Sequence, residues 1–525
     1  MRNIAVLTLL AAAMLGDSLL LAQEPPRRPA GVAHITITTS RETTFINEPL
    51  KADGTVDYVA ALDADRRKGV TADNNAAVPL IRAVNFLEPG SEARIYKQLG
   101  MAPPADDSIR FVELDSFVPK GPAATGDPNQ LAQQQAGQLA KAISAPWTSE
   151  QLPLIDEWLA ANGQPLNQIQ VAVSRARFYV PLVYSTDPPG VADGKLPRLS
   201  VLNSAALALR ARAMHRLGEG DNDRAAAEVR AIHRLARLVS QGNLVKERVG
   251  GGSIEAIACQ ADCLLAGSKK LSPKTCRMSL VGLSAMSAMP SMLEPVDRTE
   301  RFLALDSATF CARGNMAAFA RKFLGDDLAS AGQEPQIDWD LILRMQNAWY
   351  DRAVGILKLN DPVKRRAAAQ EFAADLDRLK AWRKSDGPAR MRELAGKETL
   401  ADSDLRTEKS ETFGKLLVAT FMTNLAGLLQ FQDETATALD LARVVMALEV
   451  AKADLGHYPD TLDDLSPRFI AAVPKDRFSG KPLGYRLDPK GYTLYSVGLN
   501  LKDDGGRSKS DGGDPPGDDL VIHMD

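Results

Sequence analysis

The stretch ALALRARAMHRLGEGDNDRAAAEVRAIHRLARLVSQG, residues 206–242, decides the predicted fold class. Alanine and leucine recur at helical spacing on both sides of GEGDND, so each side is predicted to be an amphipathic helix. In the turn itself, glycine permits a positive φ, and an Asp or Asn caps the helix that follows. The stretch therefore predicts a helical hairpin, and similar helical patterns along most of the chain predict a mainly α protein.

This hairpin resembles one tetratricopeptide unit in its alanine-rich facing positions and in its turn. The resemblance covers about one repeat of a 525-residue chain. It implies a body of repeat-like helical hairpins, and it implies no activity.

Length and composition describe an ordinary globular protein with more than one structural unit. A chain of 525 residues is longer than a single hydrophobic core usually organises. Lys and Arg number 63 against 66 Asp and Glu, so no net field favours a polyanion. Nucleic acid is therefore not an expected partner.

The N-terminus has the layout of a secretory signal, with Arg2 before an apolar run that starts at Ile4 and small residues near Ala22. We therefore expect export to the periplasm or the extracellular space. Asp17 interrupts the apolar run, and Leu20 is large for its place before the cleaved bond. The alternative is an uncleaved anchor, the one case in which we expect membrane contact.

The remaining boundaries follow from loop signals and helical periodicity. The predicted units are a signal peptide over 1–22, a Pro-rich linker over 23–33, an N-terminal arm with short helices over 34–130, a helical body over 131–414, and a long helix with a small β domain and an acidic loop over 415–525. The long helix is expected to begin near Lys415 and to end at Gly456. Pro489 and Gly491 predict a tight turn between two strands.

The four cysteines allow two interpretations. Because an exported protein meets an oxidising compartment, Cys263 and Cys276, which flank the turn GSKKLSP, could form a disulfide if that turn joins two antiparallel helices. Cys259 would then have only Cys311 left as a partner. The alternative is that all four are buried as small apolar residues. No histidine lies near them in sequence, so a zinc module is not expected.

Catalytic motifs are missing from the sequence: H-E-x-x-H, G-x-S-x-G and C-x-x-C do not occur. No catalytic residue is therefore predicted. A site assembled from distant segments stays open, since the chain contains His34, His215, His233, His457 and His523 and many carboxylates.

The C-terminal region carries three successive segments with a common resemblance: ALEVAKADLGHYPDTLDDL, VPKDRFSGKPLGYRL and YTLYSVGLNLKDDGG. In this order they resemble the globular domain of the major pseudopilins of type II secretion, over about 436–525. The family has G-x-Y-P after a helix, a P-x-D-P-W-G-x-P-Y stretch, a Y-x-L-Y-S-x-G strand and an acidic calcium-binding loop. Here Arg477 replaces the Pro, Phe478 the Trp and Asn500 an Asp, and the prepilin segment G-F-T-L-x-E is absent.

The resemblance implies a small α+β, pseudopilin-head-like domain that binds calcium. Calcium takes six to eight oxygen ligands, and the loop offers side-chain oxygens from Asn500, Asp503, Asp504, Asp518 and Asp519, with Asp511 and Asp514 as spares. The alternative is a disordered acidic tail. The whole chain also resembles uncharacterised secreted bacterial proteins that join a helical body to such a tail.

These observations favour an exported, non-enzymatic interaction or scaffold protein with a calcium-stabilised C-terminal module and a protein partner in the envelope. One alternative is a periplasmic hydrolase with its site in the helical body. Another is an accessory factor of a secretion or pilus-like system.

Overall fold

A computed structural model describes residues 37–105, 109–120, 127–184, 190–323, 337–395, 397, 403–512 and 516–524. The protein is mainly helical, with 61% helix and 5% strand, which confirms the predicted class. The predicted signal peptide over 1–22 and linker over 23–33 lie outside the described residues, as does Asp514.

The helices fall into a short N-terminal set, a central set and a C-terminal set. The first set is α1 (Tyr58–Arg67), α2 (Ala77–Val84), α3 (Glu92–Leu99), α4 (Pro128–Ala142), α5 (Pro153–Ala161) and α6 (Gly163–Ala172). The second is α7 (Leu199–Gly218), α8 (Asn222–Val239), α9 (Val245–Gly267) and α10 (Pro273–Ala285). The third is α11 (Arg301–Phe310), α12 (Met316–Phe323), α13 (Trp339–Leu357), α14 (Pro362–Lys384), α15 (Gly387–Ala395), α16 (Ser403–Phe421) and α17 (Leu425–Leu455).

The predicted hairpin is present as α7 and α8, which pack against each other. Gly220 adopts a φ of +82° in the turn, and the Asp221 side chain accepts a hydrogen bond from the Arg224 amide, which caps α8. The short helices of the N-terminal region join the same core, because Leu80 and Ile81 of α2 are buried in one cluster with the apolar residues of α6 to α8.

Helix α9 lies at the centre of the molecule, packed against α7, α8 and α17. Its three consecutive glycines, 250 to 252, lie inside the helix and allow this close approach. A Cβ on Gly251 would lie 2.7 Å from the Ala236 carbonyl oxygen of α8, and one on Gly252 would lie 2.5 Å from the Phe431 ring of α17. The glycines therefore serve helix packing.

The long helix α17 begins at Leu425 instead of near Lys415, because the Asn424 side chain accepts a hydrogen bond from the Gly427 amide and starts a new helix there. It ends at Gly456, as predicted, with a φ of +84°. In the described part of the chain, Ser403–Leu455 is the one helical stretch with the length and composition of a membrane span. Of the apolar 18-residue segment on which this depends, 61% is buried inside the protein.

Two small antiparallel sheets complete the fold. The first pairs β1 (Val183–Tyr184) with β2 (Gly194–Lys195). The second has the order β3 (Gly484–Leu487), β4 (Tyr492–Ser496) and β5 (Leu520–Met524). The predicted turn joins β3 to β4, with the Asp488 and Gly491 backbones hydrogen-bonded to each other.

The three-stranded sheet shares its core with the helices. Tyr492 and Leu494 of β4 and Ile522 of β5 are buried in one cluster with Val445 of α17 and Cys259 of α9. The C-terminal module, which we define as residues 456–524, is therefore packed onto the helical body through a continuous apolar core.

Candidate metal centre

The acidic loop runs from Val497 to Asp519 and connects β4 to β5. Asp476, which precedes β3, fixes the start of this loop: one carboxylate oxygen accepts hydrogen bonds from the Phe478 amide at 2.6 Å and the Ser479 amide at 3.0 Å. Its other oxygen accepts one from the Val497 amide at 2.8 Å. Asp476 is buried, so the segment before the sheet holds the loop that follows it.

Two glycines allow the ends of the loop to approach each other. Gly498 has a φ of +65°, and a Cβ there would overlap the Asp518 carbonyl oxygen. A Cβ on Gly517 would overlap the Arg507 carbonyl oxygen. Because neither position carries a Cβ, the two ends of the loop can lie close together, and the aspartates at both ends can meet.

Three aspartates converge there, since Asp504, Asp518 and Asp519 each present a carboxylate oxygen within 4.8 Å of the others. Asp519 is only 2% exposed, and its Oδ2 accepts a hydrogen bond from the Gly506 amide at 2.8 Å. Oδ1 of Asp519 and Oδ1 of Asp518 are both buried without a hydrogen-bond partner among the described residues. Each of these two oxygens is thus buried without a hydrogen bond from a described residue, which is costly for a carboxylate.

The electrostatics of the loop reflect this crowding. Burial, together with the nearby charges of Asp504 and Asp503, raises the pKa of Asp519 to about 6. The pKa of Asp504 is lowered, because Asn500 donates a hydrogen bond to its carboxylate and Arg507 lies near it. A cation beside Asp519 would remove the reason for its raised pKa.

The other two predicted ligands flank this cluster. Asn500 donates from its Nδ2 to Asp504 Oδ2 at 3.1 Å, and its Oδ1 accepts from the Lys502 amide at 2.6 Å. Asp503 accepts from the Tyr495 hydroxyl at 3.0 Å and from the Gly505 amide at 2.9 Å. The structure thus brings together three of the five predicted ligands and gives Asn500 and Asp503 supporting contacts.

Asp476 and Tyr495 position the loop, and neither was predicted from the sequence. Both lie in segments that carry the pseudopilin resemblance, PKD and YTLYS. That location is the one signal that could have indicated them, because their partners in the loop are 21 and 8 residues away.

A second candidate location is a cavity of about 440 Å³ between the N-terminal helices and the body. Its lining includes Asp65, Glu294 and Tyr179, and no histidine is among the described residues that line it. Asp65 pairs with Arg298 at 2.6 Å and Glu294 with Arg248 at 3.4 Å. Each of these two carboxylates therefore has an arginine partner.

Cys259, Cys263, Cys276 and Cys311 are all buried. The structure has no disulfide between Cys263 and Cys276, the pair that the first of the two interpretations joins. The expected geometry required α10 to fold back along α9, whereas α10 packs along α17 and α8. Both thiols instead pack in the apolar cluster beneath the sheet.

Comparisons with known proteins add no relative: no protein-family model, no curated protein and no solved structure matches this chain.

Proposed function

We propose that the protein is an exported interaction or scaffold protein whose C-terminal module is stabilised by calcium. The observation that carries the proposal is the buried carboxylate of Asp519, with one oxygen unpartnered among the described residues and aspartates 504 and 518 beside it. The donors are all oxygens, which is the ligand set of a hard cation.

The resemblance to a pseudopilin head supports the same proposal. A long helix ends at a left-handed Gly456, a short 3₁₀ turn follows at Leu462–Leu465, and a three-stranded antiparallel sheet carries the acidic loop between its last two strands. The resemblance is based on a helix end, a strand and an acidic loop in this order, and these elements support the proposal.

Asp504, Asp518 and Asp519 would hold the ion, with backbone carbonyls and water as further ligands. Calcium would supply the positive charge that these crowded carboxylates lack, and it would join the two ends of the loop. Gly498 and Gly517 permit the two ends of the loop to approach each other, and Asp476 holds the start of the loop at Val497.

The scaffold role is supported by the way the module is attached. Arg366 of α14 donates to the Phe478 carbonyl at 3.1 Å and stacks on the Phe478 ring, with 4.8 Å to its centroid. Arg477 pairs with Asp440 of α17 at 2.6 Å. A module fixed in this way presents one surface in a constant orientation, as a docking platform requires.

Calcium titration of the full chain tests the metal. We expect the melting temperature to rise with calcium in the wild type and to stay constant in Asp519→Asn. The matched control is Asp460→Asn, which removes an exposed aspartate of the same module and should respond as the wild type does. An unchanged wild-type melting temperature at millimolar calcium would reject the site.

Affinity capture from an envelope extract tests the interaction. We expect a protein partner to be retained by the calcium-loaded chain and lost with a chelator or with Asp519→Asn. Retention of secretion-system components would favour the accessory-factor alternative. Turnover of substrates that survives substitution of the loop would favour the hydrolase alternative.

A further inference from the structure

A fully buried cluster of ionisable groups joins α8 to α9, far in sequence from the acidic loop. His233 of α8 lies between two carboxylates of α9: its Nδ1 is 2.9 Å from Glu255 Oε2, and its Nε2 is 2.7 Å from Asp262 Oδ2. Arg237 donates to the same Glu255 oxygen at 2.7 Å. Glu255 is 0% exposed and His233 is 1% exposed.

Cys259 completes this cluster. Residues 255, 259 and 262 are spaced by four and three, so they lie on one face of α9, directed toward α8. One donor atom from each of His233, Glu255 and Cys259 lies within 4.8 Å of the other two. No histidine lies near the cysteines in sequence, because His233 and Cys259 are on different helices.

We propose that His233, Glu255 and Cys259 form a binding site for a zinc-class divalent ion, with Asp262 as the residue that orients the histidine. The donors are one nitrogen, one oxygen and one sulfur, the mixed set that Zn²⁺ and Co²⁺ accept. A tetrahedral ion needs donor atoms about 3.5 Å apart, and the three donor atoms here lie within 4.8 Å of one another.

The hydrogen bonds at His233 support this assignment of roles. A metal-bound histidine commonly donates its second ring N–H to a carboxylate, which fixes the tautomer and the ring orientation. Asp262 stands in this position at Nε2, so Nδ1, which faces Glu255, is the ring nitrogen left for the ion.

A buried carboxylate oxygen of Glu255 that accepts no hydrogen bond from a described residue is the second, independent indication of a ligand. Oε1 of Glu255 is buried and has no hydrogen-bond partner among the described residues, although the residue is completely enclosed. Burial of an unpaired carboxylate oxygen is costly, and a cation bound by Glu255 would offset that cost.

Charge balance permits the ion to bind. Without metal, both ring nitrogens of His233 lie at hydrogen-bond distance from carboxylate oxygens, so a ring that donates from both, together with Arg237, offsets Glu255 and Asp262. With metal, the ion displaces the Nδ1 proton of His233 and the thiol proton of Cys259. Two protons leave as one doubly charged ion enters, so the net charge of the cluster is unchanged.

Cobalt binding to the full chain tests this proposal. The chain is freed of metal with a chelator, then equilibrated or refolded with Co²⁺, and followed by absorption. We expect one equivalent of cobalt with a thiolate-to-cobalt charge-transfer band. The acidic loop contains no cysteine, so Asp519→Asn should keep the band, and the two metal sites can be distinguished.

Two further variants identify the thiol. Cys259→Ala should lose the band, and Cys311→Ala, which changes an equally buried cysteine at 1% exposure, should keep it. If Cys259→Ala does not fold, a chain with Cys263→Ala, Cys276→Ala and Cys311→Ala retains Cys259 as its single thiol and should still give the band. A folded wild-type chain without the band, or a Cys259→Ala chain that keeps it, would overturn the proposal and leave a metal-free ion network.

Discussion

At the scale of single residues, Asp519 predicts a specific pH dependence. Its folded-state pKa is about 6, above the ordinary value of 3.8, because burial and neighbouring carboxylates oppose its charge. The folded state therefore binds this proton more tightly than the unfolded state, and the contribution of Asp519 to stability is lost as the pH rises from about 4 to about 6. Without calcium, Asp519→Asn should escape this loss.

Urea unfolding in calcium-free buffer measures the effect. The two chains should be similar in free energy of unfolding near pH 4, and the variant should be more stable by about 1–2 kcal/mol at pH 7. Calcium should reverse the order at pH 7, because it favours the ionised form. A difference between the chains that does not change with pH would contradict the assignment.

A second prediction at this scale concerns Arg66 of α1 and Glu247 of α9. They form a bidentate pair at 2.7 and 2.9 Å, and both are almost fully buried. Glu247→Gln leaves the guanidinium without its charge partner, so we expect a loss of about 3–5 kcal/mol in the free energy of unfolding. Glu371→Gln, at an exposed position of α14, should change it by less than about 0.5 kcal/mol.

The limits of sequence reasoning are clearest at this scale. Asp504, Asp518 and Asp519 could be predicted as a group, because an acidic, glycine-rich loop and a family resemblance both indicate them. Asp476 and Tyr495 could not, because their role depends on contacts across the sheet. Likewise, nothing local in the sequence links His233 to Cys259, which only the packing of two helices brings together.

At the scale of elements, Gly251 sets the distance between α8 and α9. Alanine has the better helix propensity, by about 1 kcal/mol. A Cβ at this position would nevertheless overlap Ser240 Oγ and lie 2.7 Å from the Ala236 carbonyl oxygen. We expect Gly251→Ala to lower the free energy of unfolding by about 1–3 kcal/mol, because the steric term exceeds the propensity.

Gly355 in α13 is the matched control, because a Cβ there has no described atom within 4 Å. Gly355→Ala should stabilise the protein by about 0.5–1 kcal/mol. The measurement is urea unfolding of both variants, and a stabilising Gly251→Ala would disprove the role given to the glycine.

Elements themselves were largely predictable where local chemistry decides them. The α7–α8 hairpin, the end of α17 at Gly456 and the turn after β3 follow from caps and turn residues. The break before α17 could not be predicted in this way, because Asn424 interrupts an apolar run whose helical periodicity continues on both sides. The course of α10 also depends on tertiary packing, and for this reason the sequence left two interpretations of Cys263 and Cys276 open.

At the scale of the whole molecule, the sheet and the helical body share one apolar core, and this has a consequence for unfolding. The cluster around Tyr492 and Leu494 includes residues of α9, α10 and α17. Loss of the module would expose these helices, so the two parts should unfold together.

The acidic loop is also coupled to the body electrostatically. Burial raises the pKa of Glu434 on α17, and the charges of Lys509 and Asp518 in the loop act on the same carboxyl. The loop therefore lies beside α17. An ion bound in the loop would act on the Glu434 carboxyl as well as on the sheet.

We accordingly predict that calcium raises the stability of the entire chain. Calorimetry should give one unfolding transition for the described helical body and module, and calcium at about 100 times its dissociation constant should stabilise it by about 2.7 kcal/mol. Asp519→Asn should give one transition that calcium does not move. Tyr492→Ala removes a fully buried ring. It should lower the free energy of unfolding of the same transition by about 3–5 kcal/mol. Two separate transitions, of which calcium shifts only one, would show that the module is an independent unit attached to the body, because a shared core does not permit one part to melt while the other remains intact.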